Sequence, residues 1–337
     1  DDAIMNDVEK GIEEATEAYT VLDFGVAFNE MATKASTTVV PGEDRPATGD
    51  ENNDEKKISE VSVFLLEDGK VIGILIPQNR NQVSSNSDGS ITLKDLKFVT
   101  KYKTNRTLEA HVVINGNQFL KNINIGDAQS ALNQQISGCL SADQLIKYGS
   151  TRIVFGKDIT NSYSSPSVAE NNPTTILVKV SHVAARLDFS QFDVTLKGFE
   201  GNPTVVFDEA KFVNLQQNGK IVEGDASVNV KDGAFLNRSN RIGTKWTDMG
   251  TAYGYANQYK QDSEMNTALY VKFTVDGRTF EKIYPINITK EVDHNGIKGG
   301  YLYDIKVRWT ITPDWGDSTI EFYTRDWVHN SIPEIVL

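Results

Sequence analysis

The side chains able to do acid–base, nucleophilic or metal chemistry are few and scattered in this sequence. The histidines are His111, His182, His294 and His329, and the single cysteine is Cys139. No two of them stand at the spacing of ligands on one helix or in a zinc knuckle. A cysteine nucleophile would need a histidine brought beside it by the fold, which leaves no local signature. The sequence therefore predicts no metal, no cofactor and no enzyme.

Motifs for phosphate binding and acyl transfer are also missing. The chain has no GxSxG, no GxxxxGK[ST] and no GxGxxG after a strand. One aromatic run, "KWTDMGTAYGYANQYKQ", could stack on a sugar ring through Trp246, Tyr253 or Tyr255. A long loop held in place by its own aromatic rings is the competing interpretation. A cell-surface glycan-binding module is therefore kept as an alternative function.

The composition describes an acidic protein of ordinary globular character. Its 337 residues include 34 basic and 46 acidic ones, giving a formal net charge of −12 and a pI near 4.9. This balance disfavours a broad surface for phosphates, so no nucleic acid partner is expected. No stretch approaches the roughly 20 apolar residues of a membrane helix. Residues 1–19 are acidic and poor in large apolar side chains, which predicts a flexible tether.

From residue 58 onward the chain reads as short alternating strands divided by turn signals. Asp68-Gly69 and Asp276-Gly277 predict tight hairpins. The segments 127–137 and 141–148 are the two predicted helices, and the region around 237–265 is predicted to be loop. We therefore expect an all-β fold of antiparallel sandwiches with few short helices. The predicted domains are 58–184 and 185–318.

The first predicted strand stands apart from these domains. In "TVLDFGVAFNEMATKAST" the residues Leu22, Phe24, Val26 and Phe28 alternate with smaller or polar ones, as in a half-buried strand. Lys34 then begins a stretch rich in proline, glycine, acids and amides, which cannot bury enough apolar surface to become ordered. We predict a removable strand at 20–34 and an exposed linker at 35–57.

The last predicted strand also has no evident packing partner in the sequence. Residues 319–337 begin with a strand-like run and end in "IPEIVL", an apolar terminus that needs a docking site. We predict that this segment is a donor strand, which enters a groove left in another copy when that copy loses residues 20–34. Its proposed contact residues are Ile320, Phe322, Trp327, Ile332, Ile335, Val336 and Leu337.

Proteolysis would trigger such an exchange. Lys34-Ala35 lies at the end of the strand and the start of the linker, whereas Arg45 precedes Pro46, a bond that trypsin-like enzymes resist. The predicted cut is therefore between Lys34 and Ala35. Because the resulting contact between copies is heterologous and does not close, it would build a fibre.

Several loose motifs in a fixed order resemble one family. They are "ATKAST…KKISEVSVFLLEDGKVIG", "AHVVINGN" followed by a short helical segment, "TTILVKVSHVAARLDF" and "GGYLYDIKVRWTITPD…IEFYTRDW". The sequence resembles the fimbrillins of Bacteroides and Porphyromonas, the subunits of type V pili. The resemblance implies two transthyretin-like β-sandwich domains in tandem and a lipoprotein precursor exported to the outer membrane. It also implies that a trypsin-like, arginine- or lysine-specific protease removes the first strand, here Val21–Ala32.

The sequence thus predicts a polymerising stalk pilin that supports adhesion and biofilm formation in a cell-surface fimbrium. Its expected partners are other copies of itself, related pilins, the processing protease and a host or bacterial receptor. Lipid anchoring is expected in the precursor alone. A pilus anchor or a tip adhesin is the nearest alternative role.

Overall fold

The protein is described from a computed structural model. The structure describes residues 16–28, 54–236, 241–286, 296–314 and 318–326, with backbone alone at 241–242 and 318–326. The predicted cut site Lys34-Ala35 lies outside these residues. So do five of the predicted donor residues, namely Trp327, Ile332, Ile335, Val336 and Leu337.

The first part of the chain builds one eight-stranded sheet. Its strand order is β3-β2-β6-β8-β9-β1-β5-β4. The short strand β7 pairs elsewhere, with β13 of the second part. The strand bounds are β1 Tyr19–Phe28, β2 Val61–Glu67, β3 Lys70–Leu75, β4 Val83–Ser85, β5 Ile91–Lys101, β6 Thr107–Ile114, β7 Gln135–Ser137, β8 Lys147–Val154 and β9 Thr174–His182.

The second part of the chain builds two four-stranded sheets, with orders β16-β10-β19-β20 and β15-β11-β17-β18. Small pairs β12-β14 and β13-β7 complete the sheet structure of the described residues. The bounds are β10 Ala185–Leu196, β11 Val205–Val213, β12 Leu215–Gln216, β13 Asn218–Lys220, β14 Val230–Lys231, β15 Arg241–Ile242, β16 Lys245–Gly254, β17 Ala268–Val275, β18 Arg278–Pro285, β19 Tyr301–Ile311 and β20 Ser318–Asp326.

Helices are short, and the all-β prediction is confirmed. In the described part of the chain the α-helix is α1, Pro166–Glu170, begun by Ser165, whose Oγ accepts from Val168 N. None of the described helices is long and apolar enough to cross a membrane. The 3-10 turns are Asp54–Lys56, Arg80–Gln82, Asn117–Phe119, Gln129–Leu132 and Ala142–Gln144.

The two predicted helices are wrong. The segment 127–137 holds a 3-10 turn followed by β7, and 141–148 holds another 3-10 turn followed by the start of β8. The reason is tertiary: β7 pairs antiparallel with β13, joining Ile136 to Gly219 across the two parts of the chain. Helix propensity is a weak prior that such pairing overrides.

Turn chemistry gave more reliable predictions. Asp68 and Gly69 join β2 to β3 with φ of 50° and 73°, and Asp276 and Gly277 join β17 to β18 with φ of 45° and 79°. Positive φ at both central residues belongs to the type I′ turn, which matches the twist of a hairpin. Both predicted hairpins are confirmed.

Three apolar clusters form the core. One fills the space enclosed by the eight-stranded sheet, and a second lies between the two four-stranded sheets. The third contains residues of both parts, including Phe64 and Ile146 from the first and Ile221 and Tyr255 from the second. The chain passes from the eight-stranded sheet to a four-stranded sheet between β9 and β10. The third cluster joins the two parts by buried apolar contact.

Candidate functional site: the groove that holds the first strand

Strand β1 lies inside the sheet rather than at its edge. It pairs antiparallel with β5, from Tyr19↔Lys101 to Val26↔Ile91. On its other side it pairs parallel with β9, from Leu22↔Thr174 to Phe28↔Val180. We call the space between β5 and β9 the β1 groove. If β1 left, two rows of backbone donors and acceptors would lose their partners.

The inward face of β1 belongs to the core. Leu22, Phe24 and Val26 have no exposed surface and Phe28 is 6% exposed. They pack in one cluster with side chains from β2, β5, β6, β8 and β9. The alternation predicted from the sequence therefore places these four residues correctly.

The outward face of β1 is buried too, which the sequence did not predict. Val21 has no exposed surface and Ala27 is 7% exposed, because α1 packs against β1. A Cβ at Gly25 would lie 3.3 Å from both the Ile91 carbonyl oxygen and Leu177 Cδ1, so the neighbouring strands approach closely there. Strand β1 is covered on both faces rather than half-buried.

Two polar atoms of β1 are buried without compensation. Within the described part of the chain, neither Thr20 Oγ1 nor Asp23 Oδ1 has a hydrogen-bond partner. An unsatisfied buried polar group costs about 1–3 kcal/mol. The strand is therefore apolar enough to be held in the groove but is not optimised for it.

The end of the predicted linker is anchored rather than exposed. Glu55 is 1% exposed, and its Oε1 accepts from Tyr253 Oη at 2.6 Å and from Arg186 Nη1 at 3.1 Å. Arg186 Nε also donates to Asp188 Oδ1 at 2.9 Å. The prediction of an exposed linker through residue 57 is therefore wrong for the buried residues Glu55 and Lys56, because Glu55 has charged and polar partners on the second part of the chain.

Cys139 does not form a nucleophilic pair. Gln118 Nε2 donates to its Sγ at 3.2 Å, and burial raises the pKa of the thiol. A reactive cysteine needs the opposite shift, toward thiolate. His111 instead contacts Tyr148 Oη at 2.7 Å and Glu109 at 3.2 Å. No three histidine, cysteine or acidic residues of the described segments cluster as metal ligands.

The proposed sugar platform is contradicted by burial. Lys245–Gly254 of this region form strand β16 rather than a loop, and Trp246 is 5% exposed, its ring 5.3 Å from that of Phe192. Tyr255 is 1% exposed and donates to the Gly138 carbonyl at 2.7 Å, while burial raises the pKa of its phenol. Tyr253 is bound to Glu55. Pairing with β10 places Trp246 and Tyr253, and Tyr255 belongs to the apolar cluster that joins the two parts of the chain, which composition could not reveal.

No family model and no curated protein matches this sequence. Solved structures match over nearly its whole length. A candidate cell adhesion protein from Parabacteroides distasonis has a TM-score of 0.62 at 16% identity, covering 93% of this chain and 98% of its own. The tip fimbrial protein Mfa3 from Porphyromonas gingivalis, truncated at its C-terminus, has 0.52 at 10%, covering 92% and 100%. A fimbrilin (fimA) from Porphyromonas gingivalis has 0.50 at 14%, covering 91% and 98%.

This chain has the fold of fimbrial proteins. The resemblance to fimbrillins drawn from the motifs is thereby confirmed at the level of the fold. A tip protein and a fimbrilin match with nearly equal scores. The fimbrial fold therefore does not by itself assign a position within a fimbria.

Within this fimbrial fold, the first half of the predicted donor segment already has a place. Strand β20 pairs antiparallel with β19 of the same chain, from Trp309↔Ser318 to Tyr301↔Asp326. Ile320 and Phe322 lie in this strand, at the edge of its sheet. In this state both residues are paired within their own chain, and we therefore propose that the donor begins beyond residue 326 rather than at residue 319. Residues beyond 326 lie outside the described residues.

Proposed function

We propose that the protein is a subunit of a bacterial surface fimbria that polymerises by exchange of its first strand. Cleavage after Lys34 frees β1, and the C-terminal segment of another copy replaces it in the groove. The subunit is a stalk pilin, exported as a lipoprotein precursor to the outer membrane. Its biological role is adhesion and biofilm formation, with a host or bacterial receptor as the external partner.

The position of β1 carries this proposal. It is an internal strand of its sheet, yet residues 29–53 separate it from the next described element. The remainder of that sheet is built from residue 61 onward. A strand so placed can be detached by one cut while the rest of the sheet stays continuous in sequence.

Energetics fit a strand that is held firmly but not permanently. Full burial of four large apolar side chains contributes about 6–12 kcal/mol as an upper bound. The two unpaired polar atoms reduce this stabilisation. After a cut, the strand is retained by noncovalent contacts alone, and an equally apolar strand can replace it by β-augmentation.

Light digestion with a lysine-specific protease tests the proposal. Within residues 29–53 the basic residues are Lys34 and Arg45, so such an enzyme has one cleavage position there. We expect a new N-terminus at Ala35, in addition to a cut after Lys10 in the predicted tether, followed by an SDS-resistant ladder and filaments visible by electron microscopy. The control variant Lys34→Gln should keep β1 joined to the rest of the chain and stay monomeric under the same digestion.

Deleting residues 327–337 from the cleaved protein should abolish the ladder, because the proposed donor is then missing. Clean cleavage at Lys34 with a protein that remains monomeric would contradict the stalk role. An anchor or tip subunit would then be the better assignment. Ladders from the uncleaved Lys34→Gln variant would contradict the proteolytic trigger.

A disulfide lock tests where the donor begins. Arg308 and Thr319 are cross-strand partners of β19 and β20, and such Cα pairs lie about 5 Å apart, within disulfide range. The double variant Arg308→Cys, Thr319→Cys is made in a Cys139→Ser background to avoid mispairing. We expect the oxidised protein to polymerise after cleavage, because the donor lies beyond residue 326. Polymerisation seen in the reduced form alone would show that β20 itself is donated.

A further inference from the structure

A buried lysine lies where the β1 groove ends. Lys147, the first residue of β8, is 1% exposed. Its Nζ lies 5.2 Å from the ring centroid of Phe28, the last residue of β1. The same Nζ donates to the Glu55 carbonyl oxygen at 2.8 Å. One ammonium group therefore contacts both the strand in the groove and the segment that follows the proposed cut.

This contact differs from the rest of the groove. Leu22, Phe24 and Val26 pack among apolar side chains, whereas Phe28 presents its ring to a charge. Burying an ammonium group is costly unless it is compensated. An aromatic face compensates it through a cation–π interaction, which is strongest when the pair is desolvated, and a carboxylate does so by ion pairing. An aliphatic side chain offers neither interaction.

The lysine is also fixed in place. Glu55, whose carbonyl accepts from Lys147, is held by Arg186 and Tyr253 on the second part of the chain. Lys147 itself lies on β8, which is paired with β6 along its length. Lys147 and Glu55 are each 1% exposed, so the ammonium group and the residue that accepts from it both lie away from solvent.

We propose that Lys147 selects the strand that occupies the β1 groove. It favours a strand with an aromatic ring or a carboxylate at the position of Phe28, and it disfavours aliphatic and basic residues there. The selection of an incoming strand rests on the function proposed above. The expected occupant is the segment beyond residue 326 of a second copy, which supplies both kinds of side chain: Trp327 and Glu334.

Unfolding of the intact chain tests the contact without any strand exchange. Phe28→Leu should reduce the folding equilibrium constant about tenfold more in the parent chain than in a Lys147→Met background. The matched control is Phe24→Leu, whose effect should be the same in both backgrounds. Additive effects of Phe28→Leu and Lys147→Met would overturn the proposal.

A second comparison avoids replacing the lysine, in case Lys147→Met fails to fold. In the otherwise unchanged chain, Phe28→Glu should be more stable than Phe28→Lys, since the glutamate faces an ammonium group and the lysine is repelled by it. Equal stability of these two variants, or the reverse order, would overturn the proposal.

Peptide exchange tests the selection. The chain is cut after Lys34, so that β1 is retained noncovalently, and offered labelled peptides of residues 19–30 with phenylalanine, glutamate, leucine or lysine at the position of Phe28. Uptake should be strongest for phenylalanine and glutamate and weakest for lysine. Equal uptake of all four would show exchange without selection and overturn this inference alone. Non-additive unfolding with no uptake of any peptide would leave the Lys147 contact supported and contradict strand exchange.

Discussion

Strands β1 and β10 occupy the same place in two different sheets. Each pairs antiparallel on one side, β1 with β5 and β10 with β16. Each pairs parallel on the other side with a strand much later in its own part of the chain, β1 with β9 and β10 with β19. In both strands the register of the antiparallel pairing shifts once, between Leu22 and Phe24 in β1 and between Phe189 and Gln191 in β10. The two parts of the protein therefore use one arrangement twice.

The two strands differ in how many of their polar side chains have hydrogen-bond partners. On β10, Asp188 accepts from Arg186 and from Thr251. Asp193 accepts from Gln191 through Oδ2, while its Oδ1 is buried without a hydrogen-bond partner in the described part of the chain. On β1, Thr20 Oγ1 and Asp23 Oδ1 have no partner within the described part of the chain. Strand β10 also follows β9 after two residues, whereas residues 29–53 intervene after β1. The same position thus holds one strand that directly follows its neighbour in sequence and one that a long segment separates from the rest of its sheet.

The largest expected effect comes from truncating a core aromatic residue in either strand. Phe24→Ala and Phe189→Ala should each reduce the free energy of unfolding by about 3–5 kcal/mol, because both rings have no exposed surface. After cleavage at Lys34, Phe24→Ala alone should speed the release of β1. Chemical denaturation and peptide release measure the two quantities. If the cleaved Phe24→Ala and Phe189→Ala variants released β1 at equal rates, the proposed difference between β1 and β10 would be contradicted.

A smaller effect is expected at the acid that links the two parts. Glu55→Ala leaves Arg186 with one anionic partner fewer at a buried site and should reduce the free energy of unfolding by about 3 kcal/mol. The matched control is Glu17→Ala, which breaks a solvent-exposed pair with Lys101 and should leave the free energy of unfolding almost unchanged, because water and salt screen such a pair. Similar small losses in both variants would mean that the buried pair is not a tie between the parts.

The smallest effects should differ in sign. Thr20→Val removes an unpaired hydroxyl with little change of shape and should raise the free energy of unfolding by about 1 kcal/mol. Thr251→Val removes a hydroxyl that donates to Asp188 at 2.7 Å and should lower it by about 0.5–1 kcal/mol. The midpoint of urea unfolding, at unchanged slope, reports both changes. If both substitutions changed the free energy of unfolding in the same direction, the proposed difference in hydrogen bonding between the Thr20 and Thr251 hydroxyls would be contradicted.

Local patterns in the sequence were enough to predict much of the fold. The aspartate-glycine hairpins follow from turn chemistry, and the inward residues of β1 follow from a period of two. The all-β class follows from many short strands between turns. Each of these features is encoded within about ten neighbouring residues.

Features that depend on distant partners could not be predicted. The sequence predicts a helix where β7 forms and a loop where β16 forms. Both predictions fail because these strands are stabilised by pairing with β13 and β10, which stand elsewhere in the chain. Glu55 looked like one more acid in a linker, because its partners Arg186 and Tyr253 lie far along the chain. The β1 groove could not be predicted for the same reason, because its two walls, β5 and β9, are far apart in the sequence and are brought together by the fold.

The parallel pairing of β1 with β9 also has a consequence for the order of folding. The partners of Leu22 and Phe28 on β9 stand about 150 residues later in the chain. Contacts of such long range form slowly, because the loop between them must close first. A nascent chain therefore carries β1 unpaired on this side until β9 has been synthesised, and we expect its insertion to be a late step. Losing β1 would then reverse the last stage of folding without unfolding what formed before it.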